Sequence, residues 1–174
     1  MAVVITATVG SASANSFITL AEASSFMEAR LNSSLWDAAT TDSQNRSLVE
    51  ATRELSAREW AGIRVDDTQA LSWPRSWVVN PDSSVNAYYA TTIVPQRVKD
   101  ATAELAFQFI KSGTTDVASL DPNIGIIEKT VDVLTTRYAE PYFRAQGLER
   151  FPSVMRYIRP LLMGSGINVP LIRG

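Results

Sequence analysis

Two groups of residues in this chain have side chains suited to chemistry. The first are carboxylates: the adjacent Asp66 and Asp67, and Glu104 within an otherwise apolar stretch. Paired acids can move protons when their surroundings set their pKa values apart. A chain with 18 acidic residues offers such pairs by composition alone. Asp66 and Asp67 are therefore expected to serve as surface or capping groups, and Glu104 to sit at the rim of its helix face. The second group is the run Thr68-Gln69-Ala70-Leu71-Ser72-Trp73-Pro74-Arg75-Ser76-Trp77, with Arg64, Arg97, Tyr88 and Tyr89 nearby in sequence. Aromatic faces interleaved with cations are the ingredients of a platform on which single-stranded bases stack. Asp66, Asp67 and Asp82 offset that charge, and phosphate affinity follows net cationic contacts. The plainer expectation is that Trp73 and Trp77 pack onto the helices while Arg75 makes a local ion pair. Pro74 lacks an N–H, fixes its own φ and favours an extended Trp73, so the loop is rigid and either plugs a core or meets a partner.

What is missing narrows the chemistry further. There is no histidine, so the commonest general base and metal ligand are gone. There is no cysteine, so disulfides, thiolate nucleophiles and zinc–thiolate or iron–sulfur sites are gone as well. The eight glycines are scattered and form no Walker or dinucleotide fingerprint. The net charge of −2 carries no basic excess that would advertise nucleic acid. No apolar run is long enough to span a membrane, and the apolar start, residues 1–9, lacks the basic flank of a secretory signal. These observations point to a protein without catalytic, cofactor-binding or metal-binding residues, acting through its surfaces.

The elements that must position those surfaces are mostly helical. With 174 residues, 45% of them apolar, the chain can bury one substantial core. Residues 2–9 read as a strand or extended arm and 10–15 as a loop. Thr19 and Glu22 have capping-box spacing ahead of a helix over 20–30, with Leu20, Ala23, Phe26, Met27 and Leu31 on one face. A loop over 32–41 holds Trp36. A second helix over 43–60 follows a cap at 41–44, buries Leu48, Ala51, Leu55 and Trp60, and turns Glu50, Arg53, Glu54, Arg58 and Glu59 to water, with Glu54 and Arg58 an attractive pair. Residues 62–90 are rich in turn formers and irregular. Pro95 opens a third helix over 95–111, which Gly113 caps. Residues 116–123 form a loop, and 126–134 alternate as a strand or hairpin. Residues 137–150 carry Tyr138, Tyr142 and Phe143. Pro152 opens a last helix, which Pro160 kinks or ends. The fold class is mainly α: a bundle of three to four helices with a minor β hairpin and extended termini. The bundle with its arm and hairpin occupies 1–163. After the hinge at Gly164-Ser165-Gly166, residues 164–174 form an apolar tail suited to adding a strand to a neighbour's sheet.

Four segments occur in a familiar order: Ala14-Asn15-Ser16-Phe17-Ile18-Thr19-Leu20-Ala21-Glu22-Ala23, Leu48-Val49-Glu50-Ala51-Thr52-Arg53-Glu54-Leu55, Gln69-Ala70-Leu71-Ser72-Trp73-Pro74-Arg75, and Ile93-Val94-Pro95-Gln96-Arg97-Val98-Lys99-Asp100-Ala101-Thr102-Ala103-Glu104-Leu105-Ala106. In these the chain resembles the head–tail connector adaptors of tailed bacteriophages, a group also labelled DnaT-like single-stranded-DNA-binding protein. The resemblance implies a structural neck protein of the virion, made in the bacterial cytoplasm. Its copies would close into a dodecameric ring between the portal protein and a downstream neck or tail protein, and duplex DNA would pass through without specific binding. It implies that Ile167, Val169, Pro170, Leu171, Ile172 and Arg173 dock the portal, and that Trp73, Pro74, Arg75 and Trp77 lie at a core or subunit boundary. It carries no catalytic residue, cofactor or membrane contact. The second expectation is a single-stranded-DNA-binding accessory protein of replication.

Overall fold

A computed structural model describes residues 2–85, 87–113, 128–131, 134–137 and 147–164. The expected 116–123 loop, the Tyr138–Tyr142–Phe143 cluster and the tail residues Ile167, Val169, Pro170, Leu171, Ile172 and Arg173 lie outside the described residues. The fold is mainly helical, with an antiparallel two-stranded hairpin.

Helix α1, Leu20–Glu28, begins where its capping box places it. The Thr19 hydroxyl accepts the Glu22 N–H at 3.2 Å, and the Glu22 carboxylate accepts the Thr19 N–H at 2.9 Å. Ala23 and Met27 are buried, and Leu20 and Phe26 pack partly against the core. Leu31, expected on the same face, is fully exposed. The helix stops short of it, so residue 31 leaves the 3.6-residue period. The next turn, read as a loop, is the short helix α2, Ser34–Asp37. It drives Trp36 inward, where the indole N–H donates to Ser24 Oγ at 3.3 Å and the Trp36 carbonyl accepts from Gln44 at 2.8 Å.

Helix α3, Thr41–Ser56, is capped by Thr40, whose hydroxyl accepts the Ser43 N–H at 3.2 Å. It starts earlier and ends earlier than its periodicity suggests. Leu48, Ala51 and Leu55 form its buried stripe. Trp60 lies beyond the helix yet is still buried, its indole N–H donating to the Leu55 carbonyl at 2.9 Å. The outer face carries the expected Arg58–Glu54 pair at 3.4 Å, together with Arg53–Glu50 at 2.5 Å.

Helix α4, Gln96–Ser112, packs against α1, α2, α3 and the last helix, α5, Pro152–Ile158. Pro95 precedes it, and Gly113 ends it in the left-handed region at φ 70°, its N–H bonded to the Phe109 carbonyl at 2.9 Å. Because neighbours surround α4, Glu104 has no rim to occupy. It is 1% exposed and paired with Arg30, whose guanidinium lies 4.7 Å from the centre of the Phe107 ring. Pro152 occupies the first turn of α5, and Pro160 tightens the chain beyond that helix into a 3₁₀ turn, Arg159–Leu161.

The β content is small. Strands β1, Ile63–Arg64, and β2, Arg75–Ser76, pair antiparallel. Strands β3, Glu128–Val131, and β4, Leu134–Arg137, form the hairpin anticipated after residue 126, with Glu128 opposite Arg137. The opening segment is the extended arm of the two readings offered for it, not a strand. Side chains hold it in place of a ladder: Asp42 accepts the Val3 N–H at 2.9 Å, Asn45 donates to the Val3 carbonyl at 2.8 Å, and Asn15 bonds both Val4 and Thr6.

Candidate nucleic-acid interface

The long segment after α3 is anchored from within. Gly62 has φ 70°, and a Cβ there would lie 2.1 Å from the Ser76 carbonyl, so only glycine allows β1 and β2 to meet this closely. Gln69 is buried and bridges the loop. Its amide donates to the Leu71 and Pro74 carbonyls at 2.7 and 3.2 Å, and its oxygen accepts the Asp66 N–H at 3.2 Å. The Trp73–Pro74 peptide is cis, and both residues are buried. The Trp73 ring meets Trp60 and Tyr89 edge to face, with centroids 5.5 and 6.4 Å apart.

Among the described residues Arg75 does not make the expected ion pair. Its Nε donates to the Ala61 carbonyl at 2.8 Å, Nη2 to Gly62 at 2.7 Å and Trp60 at 3.3 Å, and Nη1 to Ser72 at 3.2 Å. The turn after α3 leaves carbonyls without helical partners, and a guanidinium with five donors satisfies several at once. Burial first, and then the charge of Arg64, pull the Arg75 pKa below its ordinary value. Asp66 takes the expected local capping role. It accepts both the hydroxyl and the N–H of Thr68, and these bonds hold its carboxyl below the usual range.

Trp77 departs from expectation in the opposite sense to Trp73. It is 67% exposed and adopts φ 64°, a conformation that is strained for a bulky residue. The chain then turns and comes back beside itself. The Asn80 N–H donates to the Ala87 carbonyl at 2.8 Å, and the Tyr89 N–H to the Val78 carbonyl at 3.0 Å. This return sets Tyr88, 55% exposed, against Trp77 with centroids 5.6 Å apart and ring planes at 84°. Tyr89, the next residue, faces Trp73 instead. Two aromatic groups result: an inner one that fills the core and an outer pair open to solvent.

The cations near this pair are not equivalent. Arg97 forks onto Asp82, with Nε 2.7 Å from Oδ2, which lowers the Asp82 pKa and raises that of Arg97. Arg64 stands directly across the β1–β2 pair from Arg75, so the two guanidinium-bearing residues share one register position. Sequence reading gathered Arg64, Arg75, Arg97, Trp73, Trp77, Tyr88 and Tyr89 as one group; the structure splits it. Val78 points in and Val79 out, Tyr88 out and Tyr89 in, an extended-chain alternation that identical neighbours in the sequence do not reveal.

The whole chain, residues 1–174, matches the family model described as "Putative DnaT-like ssDNA binding protein". The chain belongs to that family. No curated protein and no solved structure matches it. The family match corrects the leading expectation of a head–tail connector, and with it the partners drawn from that resemblance: a self-assembled ring, a portal protein, a neck or tail protein and a passing duplex. The physical reason is visible in the motif that carried the resemblance. Trp73, Pro74 and Gln69 are interior residues and Arg75 clamps main-chain carbonyls, so these residues of the motif build the loop within one chain.

Proposed function

We propose that this protein binds single-stranded DNA by stacking bases on the outward pair Trp77 and Tyr88. The observation that carries the reading is that pair: two large rings in contact with each other, exposed, and held by a backbone that is itself bonded across Asn80–Ala87 and Tyr89–Val78. Membership of the DnaT-like family supports it independently. An unpaired base offers two open π faces, whereas a duplex hides them, so such a platform prefers single strands whatever their sequence. The protein acts by binding, with no reaction at the site. With a net charge of −2 and Arg97 neutralised by Asp82, stacking dominates over counterion release, and the salt dependence is shallow.

Fluorescence-anisotropy titration of a labelled single-stranded oligonucleotide tests this. Trp77→Ala and Tyr88→Ala should each weaken binding by about 1–3 kcal/mol and leave the far-ultraviolet circular dichroism unchanged. The duplex of the same sequence should bind much more weakly than the single strand. A wild-type protein that ignores the oligonucleotide at low salt, or variants that bind as tightly as wild type, would overturn the proposal.

A further inference from the structure

An open cavity of about 450 Å³ lies beneath the β1–β2 pair, beside the end of α3. Arg58, Arg64 and Arg75 line it, against one lining carboxylate, Glu59. Like charges directly opposite in a strand pair destabilise it, yet Arg64 faces Arg75 across β1 and β2. Arg75 is fixed by its four carbonyl bonds, so its charge is presented in place. Arg64 has one bond, to the Gln69 carbonyl, and no carboxylate partner among the described residues. Three further groups on the lining are buried without a hydrogen-bond partner: Arg58 Nε, Ser56 Oγ and Ser72 Oγ. Buried polar groups are seldom left unpaired, and those that are call for an explanation. Three guanidinium groups and two unpaired hydroxyls converge here, against Glu59 on the lining, Glu54 paired with Arg58 at 3.4 Å and Asp66, which feels the Arg64 charge. The guanidinium donors match the oxygens of a tetrahedral dianion or a diester anion.

We propose that this cavity binds a phosphate group, with Arg64 and Arg58 as its adjustable donors and Arg75 as its fixed charge. As part of the single-strand interface, this deepens the stacking reading: the bases lie on Trp77 and Tyr88 while a phosphate of the same strand is held here. The same oxygens belong to an internal phosphodiester, to a terminal 5′-phosphate and to free phosphate.

The test uses the full chain and the variants Arg64→Gln and Arg58→Gln, because Arg75 also holds the loop together and its loss could unfold the protein. Inorganic phosphate is titrated while the arginine Nε–H signals are followed by nuclear magnetic resonance. In parallel, oligonucleotides of one sequence with a 5′-phosphate or a 5′-hydroxyl are titrated by anisotropy. A saturable shift of the Arg58 and Arg64 signals, lost in Arg64→Gln, supports the site. Tighter binding of the 5′-phosphorylated strand, by about tenfold and abolished in Arg64→Gln, assigns a terminal phosphate. Equal binding of both strands, weakened alike by about tenfold in either variant, assigns an internal diester. The proposal is overturned when phosphate leaves the arginine signals in place and both variants bind both strands as wild type does. That result leaves the loss in Trp77→Ala intact. Conversely, phosphate binding that persists while Trp77→Ala has no effect on the strand sinks the platform alone.

Discussion

Trp73 and Trp77 are four residues apart and do opposite work, because their rings touch different things. Trp73 is enclosed by Trp60 and Tyr89 within the core. Trp73→Ala should therefore destabilise the fold by roughly 3–5 kcal/mol, through lost burial and the cavity left behind. Chemical denaturation of the two proteins checks this; a change below ~1 kcal/mol would mean the ring is not a core element. Residue types were enough to single out this loop, and of its two readings the core plug is realised by Trp73, while Trp77 is exposed to solvent. Residue types could not separate Tyr88 from Tyr89 or foresee Arg75's carbonyl clamp, because both depend on how the chain folds back on itself. Glu104 shows the same limit. Its period places it beside apolar neighbours, but only the enclosure of α4 reveals that Arg30 must cross over to meet it.

At the scale of elements, helices with strong local signals were readable and short or tertiary ones were not. The Thr19–Glu22 box and the Pro95–Gly113 bracket act within a few residues and need no distant partner. Helix α2 has a single turn and is held by a Gln44 side chain from α3, so nothing local announces it. The opening arm is similar: its β-branched composition suggested a strand, but the groups that hold it are Asp42 and Asn45, some forty positions away. The capping box gives a direct test. Thr19→Ala removes the acceptor for the Glu22 N–H and should cost about 1 kcal/mol, lowering Tm by roughly 2–4 °C for a chain of this size. Thr19→Ser, which keeps the oxygen, should restore most of the loss; a thermal melt of the three proteins decides it.

At the scale of the whole molecule, the shifted groups among the described residues that titrate on the acid side are four carboxylates. Glu22 is partly buried, which pushes its pKa up, but bonds from Lys99 and Thr19 outweigh this and lower it. Arg46 and the Val3 N–H lower Asp42, Thr68 lowers Asp66, and Arg97 lowers Asp82. A carboxyl with a lower pKa in the folded chain than in the unfolded chain binds its proton preferentially on unfolding. Its stabilisation is complete above the unfolded value near ~4 and is lost as pH falls through the folded one. With no histidine to titrate, Tm should be flat from about pH 6 to 8 and fall below about pH 4. Calorimetry across that range checks this, and a step near neutrality would contradict it. The distribution of indoles has a consequence of its own. Of four tryptophans, Trp36, Trp60 and Trp73 are shielded and Trp77 alone stands in solvent. Aqueous iodide or acrylamide should then quench one red-shifted emitter and spare three blue ones, giving the protein an intrinsic optical probe at the one surface where its partner is expected.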